Sequence, residues 1–332
     1  MTGQGSPESS IASDRLSVAV EVSALGGPSF DRRCLVEFAL DAMRADGSII
    51  PATWSLRWVR RRDLVGGANP SLRGWLAARS TALGMAPRAS WASPRAQVRF
   101  LASGPALIRL GPPGVVTIHS AAEALRIAAA GSSSRGAGAM LRRATDRGVI
   151  VHAASHAAGD AAVSELGLDR ASVVVALPGL PATRRAAPPS TDSIGVVAGT
   201  SLTLDTAAVD SLRERGVRAE LIAAGDAAAP RPCVVFASPG DGFPYAALEA
   251  FASGTPVVAS RTPTTTELLE GAAVLVETRA TTDLADAAAA LMENGAHHGL
   301  VVAAGRARVG DFSCERRAPE LISLLRRARS SR

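Results

Sequence analysis

Short runs of β-branched and apolar residues alternate along this chain with stretches whose apolar positions recur at helical spacing. The pattern predicts a strand at Leu16–Val22, a turn at Gly26-Gly27-Pro28 and a helix from about Asp31 to Met43. A strand ending in histidine, Gly114–His119, precedes a helix from about Ala121, and a strand at Gly148–His152 precedes a helix from Ser155 to about Leu166, with Ser155 as its N-cap. Ser172–Leu177 is the next strand. A second series opens at Ile194–Ala198 and continues with a helix near Thr206–Arg215 and strands at Ala219–Ala223 and Cys233–Ala237. Then come a helix opening at Pro244 and closing before Gly254, a strand at Val257–Ser260, a helix start near Thr264–Glu267 and a strand at Ala273–Val276. Helices are expected at Thr282–Met292, Val301–Val309 and Glu315–Arg329. Residues 50–112 give no comparable rhythm: Ser71–Leu83 has helical spacing, and Pro87, Pro94 and Pro105 break up the rest. Strands alternating with helices predict an α/β fold with parallel sheets. The aperiodic Ala182–Ser193 stretch, rich in Pro, Ser and Thr, divides the chain into two Rossmann-like lobes, residues 1–185 and 186–332.

The densest chemistry lies between Pro232 and Glu270, a strand, a glycine-containing turn, a helix and a second strand. A helix that starts after such a turn presents unpaired N–H groups and partial positive charge, which suits a phosphate or carboxylate. Two carboxylates stand eight residues apart there, Asp241 and Glu249. Glu249 is the only charged residue between Asp241 and Arg261, in a helix otherwise built from Tyr245, Ala246, Ala247, Leu248, Ala250, Phe251 and Ala252. A carboxylate in such company needs partners. Either a nearby N–H or arginine serves it, or it accepts hydrogen bonds from a ligand's hydroxyl pair, as carboxylates near strand–helix turns do with ribose. Asp241 before a glycine is also ordinary turn chemistry.

Charge is unevenly spread. The chain has 36 arginines and no lysine; residues 1–190 carry 22 of them against 13 acids, whereas residues 191–332 carry 14 against 17. No acid occurs between Asp63 and Glu123, and all four tryptophans (Trp54, Trp58, Trp75, Trp91) lie in residues 54–91, the stretch that also holds Arg60-Arg61-Arg62. Segment 54–109 therefore reads either as a solvated basic surface with core tryptophans or as a face for anionic membrane or lipid phosphate. The same electrostatics would attract nucleic acid. No apolar run is long enough for a membrane-spanning helix, and the first residues do not form a secretory signal. Cys34, Cys233 and Cys314 support neither a disulfide framework nor a zinc site, and His297-His298 has no companions at metal spacing. Cytosol is the default compartment, and no metal site is expected.

The stretch D-G-F-P-Y-A-A-L-E-A-F-A-S-G-T-P-V-V-A-S, beginning at Asp241, resembles the signature of retaining glycosyltransferases of the two-lobed GT-B type, family 4 in particular. The likeness extends over about Gly114 to Pro181 and to Asp311-Phe312-Ser313, which resembles the start of a terminal helix that returns to the first lobe. The resemblance implies a GT-B fold and transfer of a hexosyl group, mannosyl or glucosyl, from a nucleotide-diphosphate sugar to a glycan or lipid-linked hydroxyl, with retention. It implies an acceptor-side first lobe and a donor-binding second lobe, no tightly bound cofactor, and a cytoplasmic location at the inner membrane face if residues 54–109 make a peripheral contact. No nucleic-acid partner is expected. Glu249 would hold the donor ribose, Asp241 the donor sugar, and the main chain at Gly242, Phe243, Pro244 and Tyr245 sugar hydroxyls or diphosphate. His119 matches the histidine of an H-D pair in the family's first lobe and would help position the sugar.

The chain departs from the family in several places. Asp241 replaces a glutamate, Pro244 a glycine, and Ser120 the aspartate of the H-D pair. The arginine and lysine that neutralise the donor diphosphate after the second lobe's first strand are missing from G-T-S-L-T-L-D-T-A-A-V-D, which starts at Gly199. Arg213, Arg215 and Arg218 are the nearest cations, and only 37 residues separate Ile194 from Pro232, so the second lobe reads as contracted. An alternative follows: a non-catalytic relative acting as a partner or scaffold subunit.

Overall fold

The structure, a computed structural model, describes residues 15–21, 30–54, 96–102, 113–129, 137–182, 192–199, 201–238, 242–277 and 281–331. Among these, the strands form two sheets in which every pair is parallel. The first sheet is built from β1 (Leu16–Glu21), β2 (Ile49–Trp54), β3 (Val98–Leu101), β4 (Gly114–Ile118), β5 (Ile150–Ala153) and β6 (Val173–Val175), in the order β2-β1-β3-β4-β5-β6. Its helices are α1 (Phe30–Asp46), α2 (Ala121–Ala129), α3 (Ala137–Thr145) and α4 (His156–Leu166). The second sheet holds β7 (Ile194–Val197), β8 (Ala219–Ile222), β9 (Val234–Phe236), β10 (Val257–Ser260) and β11 (Val274–Val276), in the order β11-β10-β9-β7-β8. With it go α5 (Leu202–Glu214), α6 (Tyr245–Ser253), α7 (Pro263–Leu269), α8 (Thr281–Glu293), α9 (Gly295–Asp311) and α10 (Cys314–Ser330).

The elements follow from local chemistry. β3, β4, β5, β7 and β10 are buried at every position, and β4, β7 and β10 accordingly read as near-continuous apolar runs rather than alternating ones. Ser155 caps α4 by accepting the Ala158 N–H, as expected. Pro244 stands at the N-cap of α6 and Gly254 closes that helix in the left-handed conformation at φ 79°. Helix α5 begins at Leu202, four residues before the predicted Thr206, because the Ser201 hydroxyl accepts the Leu204 N–H. Asn294 caps α9 through the His297 N–H, so that helix starts at Gly295 rather than Val301. Two strands escaped the sequence pattern. β2 contains Pro51, which a sheet tolerates at an edge, and β3 has Arg99 in its middle. The predicted Ser71–Leu83 helix lies outside the described residues.

One large apolar cluster runs from α1 and the first sheet through Phe243, Tyr245, Leu248 and Phe251 of the second lobe to Phe312, Leu321 and Leu325 near and within α10. Two further clusters fill the opposite faces, one in each lobe. Helix α10 packs on α1, β3 and β4, so the end of the chain returns to the first sheet. Leu180 N–H donates to Phe312 O at 2.7 Å, Leu177 N–H to Glu320 Oε2 at 3.1 Å, and Arg326 reaches Asp46 at 3.3 Å.

A second tie joins the lobes at their carboxyl edges. Glu267 of α7 accepts the His156 N–H at 2.7 Å and the Ala157 N–H at 2.8 Å, and its Oε1 lies 2.9 Å from His156 Nδ1. A residue of the second lobe thereby caps a helix of the first. Replacing Glu267 by Ala should speed amide hydrogen exchange at His156 and Ala157 and lower stability by about 1 kcal/mol. Unchanged protection at both amides would contradict the tie.

Candidate active site

Open α/β sheets bind ligands outside the carboxyl ends of their strands, where the strand order reverses. That reversal falls between β1 and β3 in the first sheet and between β7 and β9 in the second. The loop leaving β1, residues 22–29, is outside the described residues, as are Pro239, Gly240 and the predicted site residue Asp241. The groups around these segments define the candidate site.

Helix α6 turns one face toward the first lobe. Glu249 is partly buried, and its charge acts on the Cys34 thiol of α1. Burial pushes that thiol well up, and Asp31, Glu37 and Glu249 push it further. Tyr245 sits in the same neighbourhood: burial raises its phenol well above the usual value, with Cys34, Asp31, Cys314 and Glu37 adding to the effect. Its hydroxyl is buried without a hydrogen-bond partner.

Phe243 and Tyr245, predicted as donor contacts, are core residues by their side chains. Both are fully buried, their rings meet edge-on at 4.8 Å, and Phe243 meets Phe312 at 5.5 Å. The Tyr245 N–H donates to Phe243 O at 2.7 Å, and Pro244 has no N–H to give. Gly242 lies directly beneath the Asp31 side chain of α1, with no room for a Cβ between them. Asp31, which the sequence marks only as a helix start, borders the candidate site. Burial pushes its carboxyl up to about 7, against the opposing pull of Arg32. Arg32 pairs with Glu123 at 3.4 Å, and the Arg33 guanidinium lies 5.6 Å from the Phe30 ring.

His119 stands at the carboxyl end of β4, as predicted, but is only 2% exposed. Its Nε2 lies 2.6 Å from Ala102 O, which makes Nε2 the protonated nitrogen and leaves the Nδ1 lone pair buried without a partner. Its own N–H donates to Glu123 Oε2 at 2.7 Å. Burial lowers the imidazole pKa, opposed by Glu123 and the Ala102 carbonyl. His152 repeats the arrangement one strand along, accepting from Thr117 Oγ1 at 3.0 Å and donating to Ala176 O at 2.7 Å. Burial takes it down to about 4. Both rings are neutral near pH 7 and tie neighbouring strand exits together.

In the second lobe Asp205 is completely buried and accepts the Gly199 and Ser238 N–H groups at 2.8 and 3.1 Å. No signal marked it, since an acid in a helix's first turn is commonplace. The cations weighed from the sequence stand elsewhere: Arg213 donates to Ala219 O, Arg215 pairs with Asp286, and Arg218 with Asp192, all at the far end of α5. Arg261, leaving β10, is held by Glu270 and Glu277 at 2.9 and 3.1 Å. All three cysteines are free and buried. Among the described residues no cluster of three His, Cys, Asp or Glu side chains is placed to hold a metal, and no helix is long and apolar enough to cross a membrane. Most of the basic segment 54–109 lies outside the described residues.

Residues 210–294 match the family model described as glycosyl transferases group 1. Comparison with curated proteins finds no match. Among solved structures, a glycosyltransferase from Rickettsia africae is 13% identical with a TM-score of 0.60, covering 95% of this chain and 99% of its own. HepE of Anabaena in complex with UDP and glucose is also 13% identical, with a TM-score of 0.60 and coverage of 94% and 100%. Sucrose-phosphate synthase from Thermosynechococcus elongatus is 14% identical, with a TM-score of 0.61 and coverage of 96% and 100%. These likenesses show the fold, and the fold is that of GT-B glycosyltransferases.

The raised carboxyl of Asp31 has a pH consequence. Its protonated form is favoured in the folded protein, so the contribution is complete below about 4 and is lost as pH rises through about 7. Thermal unfolding of wild type and Asp31→Asn should coincide near pH 4 and diverge toward pH 7 and above, with the variant more stable. Parallel curves across that range would contradict the raised pKa of this carboxyl.

Proposed function

From a glycosyl transferases group 1 segment set within a GT-B fold, we propose that the protein is a hexosyltransferase using a nucleotide-diphosphate sugar. The acceptor is a glycan or lipid-linked hydroxyl, and the configuration is retained. The observation that carries this reading is the position of α6: the matched segment places Glu249 on a helix at the carboxyl edge of the second sheet, within electrostatic reach of α1 in the first lobe. A carboxylate there suits the paired hydroxyls of a donor ribose. Asp241 and the main chain at Gly242–Phe243 are assigned to the donor sugar. His119 is assigned to positioning, its neutral ring offering one unused acceptor. The attacking group is the acceptor's own hydroxyl, so a Ser–His–Asp set is not required.

Residues 1–185 are assigned to the acceptor and 186–332 to the donor, with segment 54–109 as a peripheral contact to an anionic membrane on its cytoplasmic face. Binding of UDP and glucose by HepE supports a sugar nucleotide as donor.

A second reading is favoured by one observation: among the described residues, the β7–β9 switch point presents the buried Asp205 and no arginine. Leaving-group charge is ordinarily stabilised by fixed cations, so a non-catalytic partner or scaffold subunit fits this feature.

Calorimetric titration across the common nucleotide sugars tests both. Glu249→Ala should weaken the bound donor by about tenfold to a hundredfold while the circular dichroism stays native. Unchanged affinity would remove Glu249 from the site, and donor binding without glycosyl release or transfer would favour the scaffold reading.

A further inference from the structure

The strand order of the second sheet reverses at β7, with β8 on one side and β9 on the other. A phosphate arriving at such a point is normally received by main-chain amides and a helix N-terminus. Here the amides on both sides of the reversal are occupied. Gly199, leaving β7, donates to Asp205 Oδ2 at 2.8 Å, and Ser238, leaving β9, donates to Asp205 Oδ1 at 3.1 Å. Asp205 stands in the first turn of α5 and is shut off from solvent. Each oxygen takes one amide, the pattern of a carboxylate standing where a ligand's anion would stand.

A second observation points to the same spot. The Ser238 hydroxyl is buried without a hydrogen-bond partner, and it packs so closely on Gly199 that a Cβ at Gly199 would collide with it. The reversal is therefore lined by a polar group still lacking a partner, beside an anion position already filled from within. Arg213 of α5 and Arg215 just beyond it offer no counterweight there, since they are engaged near Ala219 and Asp286.

We infer that Asp205 is a specificity-determining residue of the donor site: its carboxylate occupies the anion position between β7 and β9 and turns phosphate away from it. Resting on the nucleotide-sugar reading above, this means the donor is held mainly through its nucleoside, and its phosphates lie away from the Gly199 and Ser238 amides. A fixed buried carboxylate a few ångströms from a phosphate lowers affinity by ~10-fold to 100-fold.

The test is calorimetric titration of the full chain with the pairs uridine and UDP, guanosine and GDP, and adenosine and ADP. For the base that binds, the wild-type diphosphate should exceed its nucleoside by less than about tenfold. Asp205→Asn should tighten the diphosphate about tenfold or more and leave the nucleoside within about threefold. A wild-type diphosphate preference above about a thousandfold, or a variant that weakens both members alike, would overturn the inference while leaving the nucleotide reading intact. Should Asp205→Asn fail to fold, the wild-type ratio decides alone. Absence of binding by every compound would overturn the nucleotide reading, and this inference with it.

Discussion

Main-chain amides where strands end and helices begin must find acceptors, and this protein supplies them from its own carboxylates. Glu123 takes the amide of His119, Asp205 those of Gly199 and Ser238, and Glu267 those of His156 and Ala157. Leaving the buried amides of His119 and Ser238 unpaired would cost about 1–3 kcal/mol each, so the arrangement helps fix the loops at both sheet edges. It also makes those edges acidic where a sugar nucleotide would approach. The same carboxylates that hold the loops therefore bear on which charges the site accepts.

The lobes are joined by the same economy of few, well-placed contacts. An apolar seam through Phe243, Tyr245 and Phe312 carries the core from one lobe into the other. Helix α10 closes it from behind by packing on α1, while Glu267 bridges the carboxyl edges in front. Asp31 lies between these, half-buried and pressed against Gly242, where desolvation raises its carboxyl.

Much of the architecture was legible because buried parallel strands write themselves as apolar runs. The unit from β9 through β10 appeared nearly residue for residue, with Pro244 and Gly254 marking the ends of α6. β2 stayed hidden because its proline is allowed only by its edge position, a property of the sheet rather than of the segment. The start of α9 was masked by Gly295 and Gly299, both poor helix formers, and revealed only by the Asn294 cap. In the candidate site, Glu249 stood out as a lone charge in an apolar helix. Phe243 and Tyr245 were placed correctly along the chain, but their burial depends on Phe312 some seventy residues away, which no local pattern discloses. Asp205 and Asp31 looked like ordinary first-turn acids, and Glu267 meets His156 across 111 positions of sequence.

A sugar nucleotide is expected to be held where α6 faces α1. Hydrogen exchange followed by mass spectrometry, with and without saturating sugar nucleotide, addresses this directly. Slower exchange at residues 242–249 together with the first turn of α1 is the predicted result. Protection confined to other parts of either lobe, with these two segments unchanged, would contradict it.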